Sequence, residues 1–173
     1  MKITSLQKKT KDCFKDFYYR DSRFDTWLPK NQPAQSGEIT VLQNKKEMTF
    51  LEMAQEYFGT TDIEELKKHA LTLPMVEEMI AKHKSELGVT GWGNFFFMEN
   101  KDGSVSVGSV ARVERAWFAY VYRLGDYYRW SADNRLLVRN LGTLESSGPL
   151  TLEARITSLE AFEKRVRGFL ILD

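Results

Sequence analysis

The sequence predicts an α+β protein: a helical N-terminal half, followed by an antiparallel meander sheet packed with a C-terminal helix. Three observations carry that reading. Thr49 to Glu52, Thr61 to Glu64 and Thr157 to Glu160 each have the form of a capping box that opens a helix. After Gly88 the apolar period shortens from about 3.6 residues to about 2, as it does on passing from helix to strand. Asn100-Lys101-Asp102-Gly103 then supplies a strong hairpin turn between two strand-like runs.

Taken in order, Thr4 to Tyr19 reads as a helix. Thr4 and Gln7 resemble a capping box, and Leu6, Cys13, Phe14 and Phe17 can share a face. Tyr18 to Trp27 is aromatic and charged, and Pro29 to Gly37 has the composition of a loop. Glu38 to Gln43, with Ile, Thr and Val, suits a short strand.

The next segment is helical. Thr49 opens a helix that Gly59 closes, and Thr61 opens a second that runs to about Leu71. Pro74 suits the first turn of a third, which ends at Gly88. Beyond it lie Phe95-Phe96-Phe97-Met98, then Val105 and Val107 alternating with serines, then Val110 to Tyr122. Tyr127 to Trp130 and Arg135 to Val138 complete a meander of about four strands. Arg115 and Trp117 fall on one parity and Phe118 and Tyr120 on the other, so a bulge near Arg115 or two covered faces is expected. Leu159, Phe162, Val166 and Phe169 mark the final amphipathic helix.

These elements fit one domain spanning residues 1–173, which is long enough to bury roughly two thirds of its unfolded surface. Its 25 basic and 24 acidic side chains nearly cancel, which argues against a uniformly basic nucleic-acid binder. The balance is local: residues 1–46 form a basic arm at +5, and residues 47–88 an acidic helical block at −5. Those two segments are candidates to dock on each other, or on a second copy in a homodimer. Cys13 is the only cysteine, so an intrachain disulfide framework and cysteine-rich zinc sites are excluded. The absence of a signal-peptide pattern and of an 18-residue apolar run predicts a soluble, cytoplasmic protein without membrane association.

No motif points to a cofactor or a metal. His69 and His83 lie among lysines and glutamates without ligand spacing, and are expected at solvated helix positions. Cys13 reads as a small apolar residue beside Phe14 and Phe17 rather than a nucleophile. Gly103 to Gly108 lacks the spacing of a phosphate-binding loop. A faint nuclease-like echo joins Glu38, Gln43 and Lys45 with Glu99 and Lys101. Against it, Glu38 and Gln43 are five apart and face opposite sides of a straight strand. Glu64-Glu65 and Glu77-Glu78 fit helix first turns, where negative charge favours the dipole.

The distinctive feature is a concentration of rings and arginines. Eleven of the 22 aromatic residues lie between Trp92 and Trp130, and six more between Phe14 and Trp27. Tyr18, Tyr19, Arg20, Arg115, Trp117, Arg123, Tyr127, Arg129 and Trp130 are the candidate binding residues, because Tyr, Trp and Arg dominate protein interfaces. The leading expectation is a non-catalytic module that binds another protein, of inhibitor, immunity or adaptor type. Nucleic acid is the alternative partner, held by the N-terminal lysines or stacked on the arginine-bearing strands. An enzyme with a site assembled from dispersed residues is the third reading. The plain reading is that the rings build the core and the arginines solvate its outer face.

Overall fold

Phe95, Phe96, Phe97 and Met98 are all buried, because the strand that carries them has helices against both faces. The computed structural model describes residues 2–3, 13–30, 32, 37–87 and 93–140. These belong to one compact unit, Met1–Leu141; a second, Gly142–Asp173, lies outside the described residues, as does the helix expected after Thr157. The described strands are β1 (Lys2–Ile3), β2 (Phe17–Arg20), β3 (Gly37–Gln43), β4 (Gly93–Glu99), β5 (Val105–Val113), β6 (Ala116–Arg123) and β7 (Arg135–Asn140). The helices are α1 (Arg23–Thr26), α2 (Phe50–Phe58), α3 (Ile63–His69) and α4 (Leu73–His83).

The strands form one mixed sheet in the order β1-β3-β7-β4-β5-β6-β2. This corrects the expected architecture of a helical N-terminal half followed by an antiparallel meander. The antiparallel run β4-β5-β6 is present, but β7 crosses to the far side of β4 and pairs with it in parallel. The N-terminal half supplies strands to both ends of the sheet: β3 pairs antiparallel with β7, and β2 pairs parallel with β6. The reason is burial. Leu136, Leu137 and Val138 are as apolar and as buried as the β4 run, so both strands need neighbours on each side and a helix on each face.

Side-chain alternation divides the core in two. Phe96, Met98, Val110, Val121 and Leu137 point to the layer that holds α4, together with Phe24 and Leu28 around α1. Phe95, Phe97, Val107, Leu136 and Val138 point to the layer formed by α2 and α3. Gly108 faces Phe96 across the β4–β5 pair, and a Cβ there would come within 2.2 Å of that ring, so only glycine lets the two strands close.

Local chemistry accounts for the helices. At α2 both halves of the capping box form: Glu52 N–H donates to Thr49 Oγ1 at 3.2 Å, and Thr49 N–H to Glu52 Oε2 at 2.7 Å. Gly59 ends that helix in the left-handed region at φ 70°. At α3 the cap is Asp62 rather than Thr61; its carboxylate accepts from the N–H groups of Glu64 and Glu65. An aspartate one residue later satisfies the same orphan donors.

Three further expectations need correction. Phe17 to Tyr19 are strand, not the end of a helix, while Thr4 to Asp12 lie outside the described residues. Apolar residues four apart in so short a run fit either period. Tyr127 to Arg129 carry no regular structure, and Trp130 makes only an isolated bridge to Met48. The parity change around Arg115 comes from a two-residue hairpin turn: Val113 pairs with Ala116, and Glu114 sits at φ 53°.

His69 is also not at a solvated position. It is half-buried and its ring stacks on Phe58, with centroids 4.3 Å apart. Burial holds its pKa below the ordinary value against a hydrogen bond with the Arg139 backbone, which raises it; the Arg139 and Lys68 charges act with burial, and Glu65 opposes them. The folded state therefore binds this proton less readily than the unfolded chain does. Stability is expected to fall as pH drops from 7 toward 5, through the ordinary histidine range near about 6.5. A guanidinium unfolding series across that range should show the slope in the native chain and lose it in His69→Phe. Equal slopes would refute the assignment.

Candidate functional site

A ladder of aromatic rings runs along β6 and continues onto the edge strand β2. Phe118, Tyr120 and Tyr122 alternate with Ala119 and Val121, so the rings share one face while the small residues enter the core on the other. Successive centroids along β6 are 6.1 Å apart, from Phe118 to Tyr120 and from Tyr120 to Tyr122. Tyr18 packs on Phe118 at 5.5 Å and Tyr19 on Tyr120 at 5.0 Å. Adjacent strand residues normally point to opposite faces. Here the register with β6 shifts between Phe17 and Tyr19, and the bulge lets both tyrosines reach the same row.

The ladder packs against the core at one end and is open at the other. Tyr122 packs on Trp130 at 5.1 Å, and Trp130 lies against Phe50 and Phe95 in the layer beneath α2. Phe118 and Tyr120 are half-buried and belong to neither core cluster. Beyond them Tyr18 is 81% exposed and Tyr19 44%, and at the other end of β6 Tyr127 is 94% and Tyr128 66% exposed. Burial pushes the Tyr122 hydroxyl up to about 12, and Tyr120 shifts in the same direction, so both phenols stay neutral. They offer ring faces and hydrogen bonds rather than a phenolate base.

The arginines divide into committed and open groups. Arg20 makes a two-pronged pair with Asp25, at 2.6 and 2.9 Å, and lies over the Phe14 and Phe24 rings. Arg23 is paired with Asp21 at 2.6 Å and lies over Trp27. Arg129 bridges to Glu52 at 3.0 Å and to the Glu47 carbonyl at 2.9 Å, tying its loop to the start of α2. Arg115, in the β5–β6 turn, and Arg123, at the end of β6, are exposed and have no carboxylate in ion-pair range among the described residues.

The nine candidate residues from the sequence therefore separate. Tyr18 and Tyr19 join the ladder. Tyr127 stands fully in solvent, and Trp130 is the ladder's half-buried footing against the core. Trp117 lies on the opposite face, packed on Phe17 at 5.9 Å under the Lys84 ammonium. Arg20 and Arg129 are structural clamps, Arg115 lies in the turn beside Phe118, and Arg123 alternates with the rings and so lies on the other face of β6. Sequence reasoning missed Phe118, Tyr120 and Tyr122. Their spacing at i, i+2 and i+4 around small apolar residues was the available signal.

Other chemistry is weakly represented. Glu38 pairs with Asn140 and Gln43 with Arg135, at opposite ends of β3, so the nuclease-like group does not assemble. Among the described residues no three His, Cys, Asp or Glu side chains converge to hold a metal ion. Cys13 is half-buried in a turn, packed against the α4-side core. No helix of the described residues is long and apolar enough to cross a membrane. Comparison with known protein families, with curated proteins and with solved structures returned no match for this chain.

Proposed function

We propose that the protein is an interaction module that binds another protein through the aromatic ladder at the β6–β2 end of the sheet. One observation carries this reading: a continuous row of rings begins in the core and ends on exposed Tyr18 and Tyr19. Rings held rigidly by their neighbours lose little entropy when a partner covers them, and Tyr is among the residues that concentrate binding energy. The open guanidinium of Arg115, in the turn beside Phe118, favours a partner surface that is apolar at its centre and carries a carboxylate at its rim.

Among the described residues, the pairing of the arginines weighs against single-stranded nucleic acid on this face. Stacked bases would suit the rings, but a phosphate chain needs several uncommitted cations alongside them. Arg20, Arg23 and Arg129 are already matched by carboxylates.

Placing photoreactive benzoyl-phenylalanine at position 18 is expected to trap one defined protein in the native lysate. The same label at exposed position 65 on α3 should trap nothing comparable. In a chain carrying Tyr19→Ala the adduct should fall at least tenfold, in line with the cost of removing a central interface tyrosine. Salt-sensitive binding of an oligonucleotide, without a protein adduct, would overturn the reading in favour of nucleic acid.

A further inference from the structure

A cleft lies where β6 ends, between the α1 terminus and the β4–β5 hairpin, with a volume of about 580 Å³. It is partly open to solvent and roomy enough to seat a small aromatic molecule along one face. We infer that it binds a small organic anion with a planar apolar body and a single carboxylate head. The site is separate from protein docking on the ladder and does not depend on it.

Three features select that chemistry. The first is the apolar part of the lining: Val105 and Leu124, which are 5% and 7% exposed, and Trp27, which is half-buried. The two aliphatic side chains form a floor that is already dry, and the Trp27 indole supplies the ring face against which a flat apolar body packs.

The second is a pair of cations. Arg123 brings an open guanidinium, whose fork suits a carboxylate. Lys101 is held by the chain: its ammonium donates to the carbonyls of Thr26 at 2.8 Å and Asp25 at 3.2 Å. Those carbonyls fix its position but do not cancel its charge.

The third is the state of the one carboxylate in the lining. Asp102 accepts from Ser104 N–H at 3.0 Å and from Ser104 Oγ at 2.6 Å, and these bonds hold its carboxyl below the ordinary value. It stays ionised and turned into its own turn, so the lining keeps one net positive charge. Asp126, which accepts from the Arg123 backbone N–H at 3.0 Å, stands outside the lining. The walls are built by tight local bonds, including Lys101 N–H to the Trp27 carbonyl at 2.9 Å, so the cleft is formed before any ligand arrives.

The probe pair is 2-naphthoate and its uncharged analogue 2-naphthol, titrated into the full chain by calorimetry. Naphthoate is expected to bind saturably in the millimolar range or tighter, and to move the one indole N–H resonance that is missing in Trp27→Phe. Arg123→Gln, a change at an exposed position, should weaken naphthoate tenfold or more and leave naphthol unaffected. Any of three results on folded protein overturns the inference: no saturable naphthoate signal, equal naphthoate affinity in Arg123→Gln, or naphthol binding as tightly as naphthoate. None of these results bears on the photocrosslink at position 18, so the two proposals fail separately.

Discussion

Phe50→Ala is expected to destabilise the protein by roughly 3–5 kcal/mol, a large fraction of the roughly 5–15 kcal/mol that holds a domain folded. Phe50 is fully buried at the first position of α2. Its ring meets Phe95 at 5.1 Å, Trp130 at 5.5 Å and Tyr122 at 5.6 Å. Deleting it opens a cavity at the point where helix, sheet and ladder meet, and those stiff rings cannot collapse to fill it. The capping box explains why this residue occupies the spot. Thr49 and Glu52 define the helix start, and paired backbone bonds between Met48 and Trp130, at 3.0 and 2.9 Å, pin the preceding chain to the far loop. Urea unfolding should show the loss in Phe50→Ala and only a few tenths of a kcal/mol in Leu51→Ala, a neighbour that is 40% exposed. A loss below about 1 kcal/mol in Phe50→Ala would contradict this account of the core.

Asp21→Ala is expected to cost roughly 2–3 kcal/mol at neutral pH, with a strong pH dependence. The Asp21 carboxylate is buried and accepts from Arg23 Nη2 at 2.6 Å, Arg23 N–H at 2.9 Å and Val121 N–H at 3.4 Å. Removing it strands a buried N–H on β6 and releases a guanidinium. Arg23 remains partly in water, so the loss stays below that of a fully buried pair. Burial by itself would raise the Asp21 pKa. The hydrogen bonds from Arg23 and Val121 overcome burial and hold it below the ordinary value. Because folding favours the ionised form, its stabilisation is complete above the ordinary aspartate range near about 4, and is lost as pH falls through the lower folded value. The stability gap between the native chain and Asp21→Asn should therefore be open at pH 7 and close in strong acid. A gap that does not change with pH would refute the role given to the carboxylate. Since Asp21 N–H also donates to the Ala119 carbonyl at 3.0 Å, this residue fastens the end of β2 to β6. Loss of the carboxylate should loosen Tyr18 and Tyr19 as well.

Recognition of individual segments from the sequence went further than recognition of their arrangement. α2, α3, α4 and the β4–β5 hairpin follow from near neighbours: Thr49 with Glu52, the Thr61 to Glu64 run in which Asp62 turns out to be the cap, Pro74 in a first turn, and Asn100 to Gly103. The Phe95 to Met98 run announced a buried segment but not its neighbours. A continuous apolar strand indicates two covered faces without naming what covers them. The expected meander failed there: nothing local to Leu136 or Phe95 says that these two pair in parallel.

The candidate site follows the same division. Tyr18 and Tyr19 stood out by composition, yet their place beside Phe118 and Tyr120 depends on a bulge and on pairing across about 100 residues. Arg20 and Arg129 looked like contact residues because a sequence shows charge and not its partner. Their carboxylates, Asp25 and Glu52, lie 5 and 77 residues away. By itself, then, the sequence determined where α2, α3 and α4 begin and where one hairpin turns, because caps and turns are settled by hydrogen bonds between near neighbours; α4 ends at His83, short of the expected Gly88. The tertiary structure alone decided the strand order, which arginines stay open and which rings reach the surface. Those depend on contacts between distant segments, whose identity is set by burying both faces of the sheet at once.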